Sequence, residues 1–144
     1  VNSEARARVG FYYDFVKASV DRLVKNLTVE LADQPVTAVG VTPGWLRSER
    51  MLENFGVTEA TWRDALTKVP GFAISESPAY VARGVVALAS DADRGRFAGE
   101  VLTSRRLADE YGVTDADGSR PDCWGLIADH GWDDQEPAVI ERYR

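Results

Sequence analysis

The 144-residue chain has the length of one domain, on the usual scale of ~100–200 residues each, and its 44% hydrophobic and 28% charged residues are an ordinary globular mixture, which excludes a disordered or fibrous chain. Seventeen Lys and Arg against 23 Asp and Glu give a net charge of −6, so the basic footprint needed for nucleic acid or an anionic membrane surface is missing, and neither is expected as a partner. One Cys and one His exclude an internal disulfide and a closed Cys/His zinc site, and no metal is expected.

No run approaches ~20 apolar residues, and the first thirty lack the order of a signal peptide, so a cytoplasmic location is expected. Residue 1 is Val, and residues 1–9 form an irregular start that runs directly into a helical pattern with no strand before it. From Tyr12 to Ala32, Val16, Val20, Leu23, Val24, Leu27 and Leu31 recur at three- and four-residue intervals, which predicts one long amphipathic helix. Pro35 breaks it, having no amide to donate. The β-branched run Val36–Thr42 then predicts a strand covered on both faces in a parallel sheet, closed by Pro43-Gly44.

Ser48 is placed to cap a short helix ending before Gly56, and Thr58 a second one reaching about Lys68 and closed by Pro70-Gly71. Ser77-Pro78 sets a capping hydroxyl before a first-turn proline, and Val81, Val85, Leu88 and Ala89 mark the apolar face of a helix ending near Asp91. Phe97–Thr103 reads as a last strand, parallel to Val36–Thr42 through a right-handed crossover. Beyond Ser104 the tail is rich in Asp and Gly, with a helical turn over Leu107–Tyr111. The alternation of helix and strand is that of an α/β layer fold, and two strands cannot by themselves make a sheet with two covered faces, so the pattern is expected to be the latter part of something larger.

Tyr13 and Lys17 stand four residues apart and therefore share one helix face. A phenol is a poor acid or base at neutral pH, and a neighbouring cation favours its phenolate, so the pair can serve as a proton-transfer device. Two common residues at this spacing equally describe an amphipathic Tyr beside a solvated Lys. The surroundings decide the weighting. Tyr13-Asp14-Phe15-Val16-Lys17 through Leu31, followed by Val36-Thr37-Ala38-Val39-Gly40-Val41-Thr42-Pro43-Gly44-Trp45-Leu46-Arg47-Ser48-Glu49, resembles the second half of a classical short-chain dehydrogenase/reductase. Ala89-Ser90-Asp91 and Phe97-Ala98-Gly99-Glu100-Val101-Leu102 continue the resemblance, which covers residues 10–104 and leaves 105–144 as a tail.

The resemblance implies the carboxy-terminal portion of a doubly wound, Rossmann-like parallel-sheet nucleotide-binding domain. It implies an NAD- or NADP-dependent oxidoreductase that interconverts a small-molecule alcohol and carbonyl, and a homo-oligomer. Tyr13 would be the acid/base and Lys17 would hold the nicotinamide ribose. Pro43-Gly44 matches the family's turn after its sixth strand, and Ser48 the hydroxyl residue four positions on, so that the Leu46 amide and the Ser48 hydroxyl would face a carboxamide. The chain departs from the family where the dinucleotide is held: it has no glycine-rich strand-to-helix turn, since Gly40 with Gly44 and Gly95 with Gly99 lie at or near predicted strands. The family's Asn and Ser would precede residue 1, with Ser3 only ten positions before Tyr13. A truncated and catalytically silent segment, at most a dimerisation module, is the competing expectation.

Other candidates are weaker. Asp115-Ala116-Asp117-Gly118 is like a calcium loop, but the register puts Val113 and Trp124 where carboxylates are required. His130 reads as a tail surface residue and Cys123 as a packed thiol. Trp45, Phe55, Trp62 and Phe72 pack between small helices or line an apolar substrate wall.

Overall fold

The computed structural model describes residues 10–131 and 136–144; the irregular start, Ser3 included, lies outside the described residues. Helix α1 spans Phe11–Glu30, as the apolar spacing predicts, and its chain then turns over residues 31–35. Strand β1 is Gly40–Thr42 and β2 is Val101–Thr103, paired in parallel with Gly40 opposite Val101 and Thr42 opposite Thr103. Between them lie α2 (Glu49–Phe55), two 3-10 segments (Trp62–Thr67 and Pro70–Ile74), α3 (Pro78–Ser90) and a 3-10 turn at Arg94–Phe97. Helices α4 (Ser104–Tyr111), α5 (Cys123–His130) and α6 (Pro137–Glu141) complete the chain, giving a mixed helical fold around a small parallel sheet.

Both strands are shorter than the sequence predicts. The Gly99 amide still donates to the Ala38 carbonyl and the Gly40 amide to that of Glu100, so pairing reaches back to Ala38. Gly99, however, has φ +81°, and Ala98 bonds back to Gly95, which curls the chain out of strand geometry before Val101. At the other end, the Val36 amide bonds to Gln34 in a turn rather than to a strand.

Local capping accounts for most helix ends. The Ser48 hydroxyl accepts from the Met51 amide and Gly56 closes α2 at φ +67°, as expected. Thr58 is not a cap: its amide and hydroxyl both bond the Thr61 hydroxyl, and the following segment starts at Trp62 as a 3-10 helix. Pro70, expected to close that helix, opens the next 3-10 segment instead, where its missing amide costs nothing. Ser77 precedes α3 as predicted, but its hydroxyl does not cap the helix; it donates to the Asp115 carboxylate, a charged and therefore stronger acceptor. The single turn expected at Leu107–Tyr111 is a full α4, capped by the Thr103 hydroxyl and closed by Gly112 at φ +70°.

Three apolar clusters hold these elements. Leu88, Phe97, Leu102 and Leu107 join α3, β2 and α4. Ile74, Cys123, Leu126, Ile127 and Ile140 pack α5 and α6 on the second 3-10 segment. The third is aromatic: Trp62, Ala65 and Phe72 are buried, with Trp45, Phe55 and Trp62 set edge-on around Phe72 at ring separations of 4.7–5.9 Å. These four aromatic residues thus pack against one another.

The direction of α1 can be read from its contacts with the sheet. A Cβ on Gly99 would lie 3.4 Å from the Thr28 hydroxyl, while one on Gly40 would lie 3.2 Å from Val24. Moving back along the helix from Thr28 to Val24 is therefore moving forward along β1 from Ala38 to Gly40. Helix and strand are antiparallel, so the Tyr13 end of α1 lies toward the carboxyl end of β1.

Candidate active site

Lys17 precedes Val24 by seven residues, about 10 Å along the helix, and β1 runs on from Gly40 to Thr42, about 7 Å, before it bends at Gly44. The helix from Val24 back to Tyr13 and the strand from Gly40 on to the Pro43–Ser48 turn accordingly run in the same direction. The Lys17 ammonium stands 5.4 Å from the centre of the Tyr13 ring, over its face, and Tyr13 is half exposed. The two groups converge on solvent-accessible surface of α1, as the four-residue spacing requires.

The turn itself is held residue by residue. The Pro43 carbonyl accepts from the Trp124 indole at 2.9 Å, and the Gly44 amide donates to Glu76 Oε2 at 3.1 Å. Residues 45–47 run parallel to the segment around Glu76: the Glu76 amide donates to Trp45 and the Arg47 amide to the Glu76 carbonyl. In that pattern the Leu46 amide points to the opposite side, away from Glu76. The Ser48 hydroxyl accepts the Met51 amide, which leaves its own proton free to be donated. Gly44 is required by packing, because a Cβ there would lie 2.7 Å from the Cys123 Cβ and 3.0 Å from Glu76 Oε2.

Beneath the turn lies a buried polar network that sequence reasoning missed. Glu76, Arg47 and Asp115 are 1%, 4% and 2% exposed. Glu76 Oε1 accepts from the Ser104 hydroxyl at 2.5 Å. Arg47 donates to the Ser75 carbonyl at 2.7 Å, to Asp115 at 3.2 Å and to Glu59, and its guanidinium stacks 4.4 Å from the Trp62 ring centre. Asp115 also accepts from the Ser77 amide and hydroxyl and from the Ala116 amide. Burial opposes ionisation of Asp115, but those donors and the Arg47 cation outweigh it and hold the carboxyl below its usual range. Glu76 has fewer such supports. Burial pushes its carboxyl up to about 7, against the Ser104 and Gly44 hydrogen bonds, and the nearby Asp115 charge adds to the rise while Arg47 opposes it.

The remaining sequence candidates have structural partners. Cys123 is buried and its thiol is pushed up to about 12, chiefly by burial. His130 meets the Tyr143 hydroxyl, which also donates to Asp129. Asp117 pairs with Arg63 and Arg144 and accepts from Ser119, so the two aspartates of the calcium-like stretch point to different partners. No cluster of metal-ligating side chains occurs among the described residues. Nor is any described helix long and apolar enough to cross a membrane.

The residues present fit one end of a nicotinamide dinucleotide. A cation beside a phenol, an outward backbone amide at Leu46 and a hydroxyl at Ser48 suit a ribose and a carboxamide, whereas the glycine-rich turn for a pyrophosphate is missing from residues 1–144.

No family model matches the chain. Among curated proteins it is similar to dehydrogenase/reductase SDR family member 1 of Mus musculus, 39% identical over 108 residues, and to the Homo sapiens protein of the same name, 32% identical over 107. Each match covers 74% of this chain and 34% of the relative, so the chain spans about a third of the length of these relatives.

Proposed function

The chain is related to the short-chain dehydrogenase/reductases over 74% of its length, and we propose that it forms the nicotinamide-facing part of an NAD- or NADP-dependent oxidoreductase acting on a small-molecule alcohol or carbonyl. What supports this reading most is the direction of α1, whose Tyr13 and Lys17 run toward the end of β1 that leads into the Pro43–Ser48 turn. The reading takes the segment to be the carboxy-terminal portion of a doubly wound sheet; the mixed helical fold around a small parallel sheet and the relationship to these relatives are compatible with it.

In this proposal Tyr13 exchanges the proton of the substrate hydroxyl. Lys17 holds the ribose hydroxyls and offsets negative charge that develops on the Tyr13 oxygen as its proton leaves. Pro43 and Gly44 bring the backbone close to a planar ring, and the Leu46 amide and Ser48 hydroxyl donate to its carboxamide. When bound, the nicotinamide supplies or receives the hydride.

In a polypeptide that carries a glycine-rich half ahead of this segment, Tyr13→Phe is expected to abolish turnover while NADPH still raises the melting temperature. Retained turnover would overturn the assignment. A second reading, a dimerisation module without turnover, is favoured by one observation: α1 exposes Phe11, Tyr12, Phe15, Val16, Val20 and Leu23. A melting temperature of the chain that is unchanged by millimolar NADPH, together with sedimentation as a dimer, supports this second reading over the first.

A further inference from the structure

We infer that Glu76 is a positioning residue for the Pro43–Ser48 turn, its side-chain carboxyl linking the Gly44 amide to Ser104 and so tying the orientation of the Leu46 and Ser48 donors to the segment beyond residue 104. This rests on the reading of that turn as the nicotinamide seat.

The geometry gives Glu76 three separate holds on the four consecutive residues Gly44–Arg47. Its amide bonds to Trp45, its carbonyl to Arg47 and its carboxyl to Gly44. The carboxyl also supports the turn sterically, since Gly44 approaches it too closely to carry a side chain. Two of these holds are backbone bonds whose strength is fixed. The third runs to a group that can take up a proton, and a charged acceptor binds an amide about twice as strongly as a neutral one.

Each element packed around the carboxyl contributes a group to this balance. Arg47 approaches from the turn, Tyr80 from α3, Ser104 from α4, Asp115 from the segment after α4 and Cys123 from α5. Tyr80 is buried, its hydroxyl has no hydrogen-bond partner among the described residues, and burial with the Glu76 charge beside it keeps that hydroxyl protonated. Cys123 likewise stays a thiol at neutral pH. Arg47 therefore faces three carboxylates, and it bonds Asp115 and Glu59 directly, which leaves Glu76 only its field. Glu76 is the carboxylate left to exchange its proton near neutrality. Protonation weakens the Gly44 bond and with it the turn's one adjustable hold.

The test follows backbone amides of the whole 144-residue chain by nitrogen-15 NMR from pH 5 to 9. The Gly44 amide proton is expected to move with a midpoint near pH 7, and the Leu46 and Ser48 amides to move with the same midpoint. Glu76→Gln should abolish all three movements while preserving the fold, because its amide oxygen can accept from Gly44 and its NH2 can donate to Ser104. Ser104→Ala should raise the midpoint, since it removes a bond that favours the ionised form. A Gly44 amide that does not titrate, titrates unchanged in Glu76→Gln, or titrates without Leu46 and Ser48 would overturn the inference. NADPH is then added at pH 6 and pH 8 to a polypeptide that carries a glycine-rich half ahead of this segment. If it perturbs none of these amides at either pH while the titration behaves as stated, the cofactor reading fails and the hold of Glu76 on the turn stands.

Discussion

The buried Glu76 carboxyl makes stability depend on pH in a direction opposite to that of most acidic groups. In the unfolded chain a glutamate titrates near 4.5, whereas in the fold burial moves it to about 7. Between those values the folded state holds a proton that the unfolded state has lost, so stability falls as pH rises through the window and levels off above it. A displacement of about 2.5 pH units corresponds to about 3 kcal/mol, at 1.36 kcal/mol per unit, for a side chain that burial shields from most solvent screening. Urea unfolding at pH 5, 6, 7 and 8 measures this directly. The wild-type chain should lose about 2.5 kcal/mol relative to Glu76→Gln from pH 5 to 8, because the Gln side chain stays neutral throughout while keeping both hydrogen bonds. Asp115 does not obscure the result: its carboxyl is held below the usual range, so its contribution is lost only as pH falls below that window. Wild-type and Glu76→Gln stabilities that run parallel from pH 5 to 8 would refute the reasoning.

Removing the other side of the network should be costly at every pH. Arg47→Met leaves Asp115 buried without its cation and is expected to destabilise by about 3–5 kcal/mol in urea unfolding, with part recovered in Arg47→Met/Asp115→Asn; a loss below about 1 kcal/mol would contradict the buried pairing. Gly84→Ala puts a Cβ 2.8 Å from that of Leu107 where α3 crosses α4, so overpacking of about 1–3 kcal/mol should exceed the helix-propensity gain of at most about 1 kcal/mol. An equally stable Ala variant would show that the two helices can separate freely. Cys123, with its thiol near 12, should react with a thiol reagent at pH 8 only at the rate of unfolding, and rapid labelling of the native chain would contradict its burial.

The parts of this molecule that were legible in its sequence are those fixed within a few residues. Ser48 and Gly56 bracket α2, Pro78 opens α3, and the apolar spacing marks α1, because caps and periodicity act over one or two turns. The strand limits were not legible, since no local pattern marks Gly99 as taking a left-handed φ and turning the chain out of strand geometry. The buried network was hidden for the same reason at longer range. Arg47 and Asp115 are 68 residues apart, and Glu76 lies 28 from Ser104, so each charge read singly belongs to a solvated surface. A signal was present: Glu76 is the lone charge in Val69-Pro70-Gly71-Phe72-Ala73-Ile74-Ser75-Glu76-Ser77-Pro78, where a carboxylate has no reason to stand unless something buried receives it.

That network also changes what the last forty residues do. Residues 10–104 carry every candidate catalytic group, and a reading that stops there treats the remainder as an appendage. In the fold, Asp115 completes the carboxylate network, Cys123 packs on Gly44 and Trp124 holds the Pro43 carbonyl. The turn proposed to face the cofactor thus rests on side chains from beyond residue 104. Its backbone approaches them too closely for Gly44 to carry even a methyl group, so a change in how α5 docks must move the turn as well. In the proposed function, the seat for the nicotinamide is therefore a property of the tail as much as of Tyr13 and Lys17.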